Sequence, residues 1–207
     1  KHSLKGDYCV IVGDEDHPEV RGLIGFAQAG GVSISSLEEI GKLDQIPEGR
    51  QVCVVAQTTQ EFDKFEEIVR YLEAKGLILN VYNTICDSTR KRQAEVKSLS
   101  QNVDMIIVVG GKKSGNTIRL AQVALERGGC VRHVETADEI LPADVKGIKS
   151  IGITAGASTP NWQIRTLVEK LRQIDLDNKS GVLALARLFA DYTIMTYIWA
   201  ALGGAGL

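Results

Sequence analysis

Two stretches of the chain repeat one device. Met105-Ile-Ile-Val-Val-Gly110-Gly-Lys-Lys-Ser114-Gly115-Asn116-Thr-Ile-Arg119-Leu and Ser150-Ile-Gly-Ile-Thr154-Ala-Gly156-Ala-Ser158-Thr-Pro160 each carry an apolar strand into a loop of glycines and hydroxyls that opens a helix. Glycine lets backbone approach a ligand closely, and free N–H groups at a helix start point outward with partial positive charge. Ser114, Asn116 and Ser158 add neutral donors. Two such loops in one sheet predict an anionic, phosphate-like ligand held between them. The spacing is not that of a Walker loop, because Ser114-Gly115-Asn116 follows Lys112-Lys113, and it does not fit G-x-G-x-x-G.

Three further strand exits carry polar groups. In Gly13-Asp-Glu-Asp-His17-Pro18-Glu19, a histidine and a carboxylate flank a proline at a helix start. Together they can bind a ligand oxygen and deliver a proton, or serve only as helix-start electrostatics. Gln57-Thr58-Thr59-Gln60 reads as a polar exit in which Thr59 caps the next helix. Cys86, in Thr84-Ile-Cys86-Asp-Ser-Thr89-Arg-Lys-Arg92-Gln93, sits just before a helix. Helix N–H groups and nearby cations lower a thiol pKa, giving a thiolate that is a nucleophile or a metal ligand.

The elements that must position these groups follow from periodicity. Strands are expected at 8–12, 32–34, 52–56, 77–82, 105–109, 131–134 and 150–154, and helices at 18–28, 37–43, 61–75, 89–99, 116–127, 137–140 and 160–173. Ser36 with Glu39, three residues on, suggests a capping box, and Thr136 caps the brief helix after it. Alternating strands and helices predict an α/β fold with mainly parallel sheets. Two units of about 80 and about 95 residues are expected, over 1–80 and 81–174, without a long linker. Residues 175–207 form a polar break and an apolar tail, read as a helix. Its uncharged stretch, 192–207, is shorter than the ~20 residues of a membrane span. A first span cut short and a helix packed on a partner domain both remain open, and with the first a membrane contact through the tail.

At 207 residues and a net charge of −2, no broad basic surface points to nucleic acid, and Arg90-Lys91-Arg92 reads as a solvated first helical turn. The four cysteines, Cys9, Cys53, Cys86 and Cys130, form neither a C-x-x-C pair nor a zinc ladder. Cys9 and Cys53 lie in apolar strands and read as packed thiols, and Cys130 as a structural residue at a turn. Without a disulfide framework, a reducing cytoplasm is expected. Lys1 opens the chain with no leader pattern after it, and a longer parent chain is expected.

Taken in order, His-Pro-Glu-Val (17–20), Gln-Thr-Thr (57–59), Ile-Cys (85–86) with Thr89-Arg-x-Arg-Gln93, Val-Gly-Gly-x-x-Ser-x-Asn-Thr-x-Arg-Leu (109–120) and Gly-Ile-Thr-Ala-Gly-Ala-Ser-Thr-Pro (152–160) resemble 4-hydroxy-3-methylbut-2-enyl diphosphate reductase, the last enzyme of the methylerythritol phosphate route to isoprenoids. The resemblance implies three α/β units around a [4Fe–4S] cluster held by three cysteines. It implies loss of a hydroxyl with two electrons and two protons, giving isopentenyl and dimethylallyl diphosphate, and a donor such as ferredoxin or flavodoxin. On it, Cys86 matches a cluster cysteine, and Ser114, Asn116 and Ser158 match residues that grip the diphosphate. His17 matches a histidine at that site, Glu19 the proton donor and Thr58 its relay partner. All seven are expected to converge on one cavity.

Departures accompany the match. The other two cluster cysteines of the family lie upstream of the matched region, and Cys9, Cys53 and Cys130 do not replace them; nor do His2 and His133 replace the family's other two histidines. The chain resembles the second and third units without the first, and by itself is expected to hold no stable cluster. Gly115 stands where relatives often carry a second serine, so that contact is lost or passes to backbone. Two other readings stay open at this level: a non-redox phosphate-binding α/β module, and an inactive fragment serving as an interaction module.

Overall fold

The computed structural model describes residues 2–126 and 128–178 and, after these, the strands Ala184–Ala186, Phe189–Ala190 and Ile194–Met195. It divides into two compact units, Lys1–Arg90 and Lys91–Leu207.

The first unit contains β1 (Tyr8–Val12), α1 (Pro18–Gly25), β2 (Gly31–Ile34), a 3-10 segment (Leu37–Gln45), β3 (Val52–Ala56), α2 (Phe62–Ala74) and β4 (Leu79–Tyr82). All strands run parallel in the order β2-β1-β3-β4. One sheet face, with Val10, Val12, Val52 and Val54, packs on Phe65, Ile68 and Leu72 of α2. Such apolar, β-branched runs suit strands buried in a parallel sheet. α1 ends at Gly25, three residues short of the expected end, where the Phe26 N–H turns back to Gly22 and Leu23. The capping box expected at Ser36 is displaced by one residue: Glu39 accepts from the N–H (2.8 Å) and hydroxyl (3.0 Å) of Ser35, and Ser36 makes no side-chain cap bond. Thr59 likewise does not cap α2, whose N-cap is Glu61. Gly76, at φ +75°, stops that helix.

The expected boundary at residue 80 falls inside β4, which pairs with β3 and so belongs to the first sheet. The units divide instead at Arg90, in the first turn of α3 (Asp87–Ser100).

The second unit repeats the plan. It contains β5 (Met105–Val109), α4 (Gly115–Glu126), β6 (Cys130–Val134), two 3-10 turns (Ala137–Glu139 and Pro142–Val145), β7 (Ser150–Ala155), α5 (Asn161–Asn178) and β8 (Ala184–Ala186). The strands are parallel in the order β6-β5-β7-β8. Every residue of β5 is buried. One face of its sheet packs Ile107, Val109 and Ile153 on Ile164, Leu167 and Leu171 of α5, and the other packs Ile106 and Val108 on Val96, Leu99 and Leu120. Asp104 ties the foot of β5 to β7, accepting from the N–H groups of Lys149 and Ser150. At the first 3-10 turn, Glu139 reaches back to the N–H groups of Glu135 and Thr136.

Of the apolar tail expected as a helix, the described parts are β8 and two short strands, Phe189–Ala190 and Ile194–Met195, paired antiparallel. The rest, and with it the expected tail helix or membrane span, lies outside the described residues. Among the described residues no helix is long and apolar enough to cross a membrane.

A Cβ on Gly152 would lie 2.6 Å from Cγ and Cδ2 of Leu99, itself 2% exposed and unable to swing into solvent. Gly152→Ala is therefore expected to destabilise the second unit by about 1–3 kcal/mol through overpacking, measured by urea denaturation. An unchanged midpoint would show that α3 is free to yield there.

Candidate functional site

In open parallel sheets, ligands bind beyond the carboxyl ends of strands where the strand order reverses. In the first unit, β1 has β2 on one side and β3 on the other, and the loops after β1, β3 and β4 carry four of the expected residues.

His17 is the N-cap of α1, and its Nδ1 accepts the Glu19 N–H at 3.3 Å. With Nδ1 occupied as acceptor, the neutral ring carries its proton on Nε2, available to a ligand oxygen. Proline at the next position suits the first helical turn. The Glu19 carboxylate accepts twice from Thr58, from its N–H at 2.9 Å and its hydroxyl at 2.9 Å. Both carboxylate oxygens are thus fixed by one residue of the neighbouring exit. The Cys86 N–H in turn donates to the Thr58 carbonyl at 3.0 Å. His17, Glu19, Thr58 and Cys86 are thus linked residue to residue within this unit, through the Glu19 carboxylate on Thr58 and through backbone groups at Glu19 and Cys86.

Two residues that the sequence reading did not single out support the set. Gln57 is fully buried; its Oε1 accepts the Asp14 N–H (2.9 Å) and its Nε2 donates to the Thr59 hydroxyl (2.9 Å). It therefore braces the loop bearing His17 and Glu19 against the loop bearing Thr58, and Thr59 serves this brace rather than the helix. The Thr84 hydroxyl accepts from the Ala56 N–H (2.9 Å) and donates to the Ala56 carbonyl, holding the Cys86 loop to the end of β3. The available signal was a polar residue within two positions of the strand end, directly after β3 for Gln57 and after Asn83 for Thr84.

In the second unit the two glycine loops leave adjacent strands, β5 and β7. Ser114, at the start of α4, accepts the Ile118 N–H through its carbonyl, and Gly115 opens the helix. Gly110 has φ +142°, a conformation only glycine adopts readily, and a Cβ there would lie 2.7 Å from Oγ1 of Thr159. A Cβ on Gly156 would lie 2.3 Å from Oγ1 of Thr117. Each loop thus gives up a side chain where a threonine from the other side is seated. The Thr159 hydroxyl and the Gly156 N–H both donate to the Val109 carbonyl, at 3.0 and 2.9 Å. Ser158 is exposed on the second loop. Asn116 is the notable case, because neither its Nδ2 nor its Oδ1 has a hydrogen-bond partner although both atoms are buried. Of the two, Nδ2 is a donor and, beside a helix N-terminus, can serve an anionic oxygen.

The seven expected site residues are thus gathered as two sets, His17, Glu19, Thr58 and Cys86 in the first unit and Ser114, Asn116 and Ser158 in the second.

A sequence model of the family described as "LytB protein" matches residues 1–172. The chain belongs to the LytB family. This LytB chain is 44% identical over 173 residues to the 4-hydroxy-3-methylbut-2-enyl diphosphate reductase of Geobacter metallireducens, covering 84% of the chain and 60% of that protein. It is 43% identical over 177 residues to the protein of the same name from Geobacter sulfurreducens, covering 86% and 62%. It spans about 60% of the length of these curated relatives. Its fold matches a solved structure of the E-1-hydroxy-2-methyl-but-2-enyl-4-diphosphate reductase from Plasmodium falciparum with a TM-score of 0.74 at 24% identity, covering 81% of this chain and 53% of that one.

The cysteines of this LytB chain differ sharply in chemistry. Cys86 is exposed at the start of α3, with Sγ 3.1 Å from the Ser88 hydroxyl. That hydroxyl, and then the N–H groups of Ser88 and Thr89, pull its thiol below the ordinary range. Cys9 and Cys53 are register partners in β1 and β3, and burial pushes both thiols up, Cys53 to about 11. Cys130 opens β6 in the other unit. Cys86 therefore has the character of a nucleophile or a metal ligand, and among the described residues no three His, Cys, Asp or Glu side chains form a metal-binding group. The donor set present does not fit a complete [4Fe–4S] site.

Cys86 is expected to alkylate with iodoacetamide as the fastest of the strand and helix-start thiols, with a midpoint below that of a free cysteine. Ser88→Ala should move that midpoint upward, followed by peptide mapping across pH. A Cys86 midpoint at or above that of a free cysteine peptide measured alongside would contradict the assignment.

Proposed function

We propose that this chain is part of a reductase that removes the hydroxyl of 4-hydroxy-3-methylbut-2-enyl diphosphate as water, with two electrons and two protons, to give isopentenyl and dimethylallyl diphosphate. The observation that carries the reading is the set in the first unit: a carboxylate held through both oxygens by Thr58, and a thiol of lowered pKa whose backbone N–H binds the same Thr58. Membership of the LytB family supports it.

In this reading each residue has a chemical task. Glu19 delivers a proton to the departing hydroxyl, and the Thr58 hydroxyl orients its carboxyl and relays the proton. The Nε2–H of His17 serves a ligand oxygen. Ser114, Asn116 and Ser158, with the free N–H groups at the start of α4, hold the diphosphate through neutral donors and helix-end polarity. Gly115 contributes backbone only. Cys86 is one ligand of a [4Fe–4S] cluster whose remaining ligands are not among the described residues. The electrons come from a small carrier such as ferredoxin or flavodoxin.

In the full-length protein, Glu19→Gln is expected to lower kcat by about 10²–10⁴-fold with little change in KM, measured anaerobically with a reduced dye. Asn116→Ala should instead raise KM. A Glu19→Gln protein turning over at the unaltered rate would end the proton-donor assignment. Substrate binding that survives Cys86→Ser without turnover or iron in any form of the protein would favour a non-redox phosphate-binding module.

A further inference from the structure

Thr117 stands in the first turn of α4, one residue beyond Asn116. It is 1% exposed, yet its Oγ1 has no hydrogen-bond partner. The hydroxyl is aimed at the second glycine loop, at the place where a Cβ of Gly156 would stand, and it also borders Gly110, 3.1 Å from where a Cβ would be. A buried hydroxyl left unpaired costs free energy that an apolar group of the same shape would not. The facing threonine, Thr159, shows the satisfied alternative, since its hydroxyl donates to the Val109 carbonyl. Asn116 Nδ2, Asn116 Oδ1 and Thr117 Oγ1 are all buried without a hydrogen-bond partner, on two consecutive residues where the glycine loops meet.

We infer that the Thr117 hydroxyl is a further donor of the anion site, completing its hydrogen bond only when a phosphate-type oxygen lies between the two loops. This rests on the anion-binding reading of those loops given above. Glycine at 110 and 156 is then required for a second reason besides backbone approach: any side chain there would close the space through which the Thr117 hydroxyl reaches the ligand. The unpaired hydroxyl is the cost of keeping a donor directed at a ligand oxygen.

The test is a comparison of Thr117→Val and Thr117→Ser with the unaltered full chain, by calorimetric titration with inorganic pyrophosphate and by thermal unfolding. Thr117→Val is expected to weaken pyrophosphate binding by about tenfold, the order of one net hydrogen bond, while leaving Tm unchanged or higher because the unpaired hydroxyl is gone. Thr117→Ser, which keeps the hydroxyl, should bind within about threefold of the unaltered chain. Equal affinity of Thr117→Val and the unaltered chain would overturn the role of Thr117 and leave the anion site standing. A lowered Tm for Thr117→Val, with binding lost equally in Thr117→Ser, would assign the residue to packing and overturn the inference. An unaltered chain that does not bind pyrophosphate would remove the anion site itself, and the inference with it.

Discussion

The in-phase parallel pairing of each central strand with its neighbours is the constraint on which the rest depends. Val12 pairs with Ala56 and Ile34, and Val109 pairs with Ala155 and Val134. Because the last residues of neighbouring strands are partners, the chain leaves adjacent strands at one level. The next N–H groups continue the ladder in the same way in both units: Gly13 to Ile34 and Gln57 to Val12 in the first, Gly110 to Val134 and Gly156 to Val109 in the second. A shift of one residue in either sheet would turn every inward side chain outward and separate the loops.

The two units use this shared frame for different chemistry. At the exit next to the central strand, the first unit has Gln57, whose long amide side chain braces Asp14 and Thr59, and the second has Gly156, which makes room for Thr117. The first arrangement fills the space between loops with hydrogen bonds and fixes Glu19 and Thr58 in one geometry. The second removes side chains, packs the gap with threonines and leaves buried amide and hydroxyl atoms without partners. A carboxylate that must keep a set orientation benefits from the first, and a loop that must accept an outside oxygen from the second.

Much of this was legible along the chain. Apolar runs marked the strands, their alternation with helices gave the parallel α/β class, and the polar residues after each strand were the right ones to watch. What the local pattern misassigned were side chains with two possible partners. Ser36 with Glu39 and Thr59 before α2 both satisfy a capping pattern, yet Glu39 takes Ser35 and Thr59 takes Gln57. Local capping competes with partners set by tertiary packing, and spacing alone does not rank them. The boundary at residue 80 failed for a similar reason, because nothing within 79–82 says which sheet the strand will join; pairing with β3 decided it.

The residue types of the site were therefore determined by the sequence itself: a histidine and a glutamate around a proline, a cysteine at a helix start, and serines and an asparagine after glycines. Their working arrangement was decided by the tertiary structure. Thr58 holds both oxygens of Glu19 across 39 positions of chain, and Thr159 reaches the Val109 carbonyl across 50. Those contacts exist only once the strands have paired, since hydrogen bonds between exits depend on the register of the sheet and not on distance along the chain.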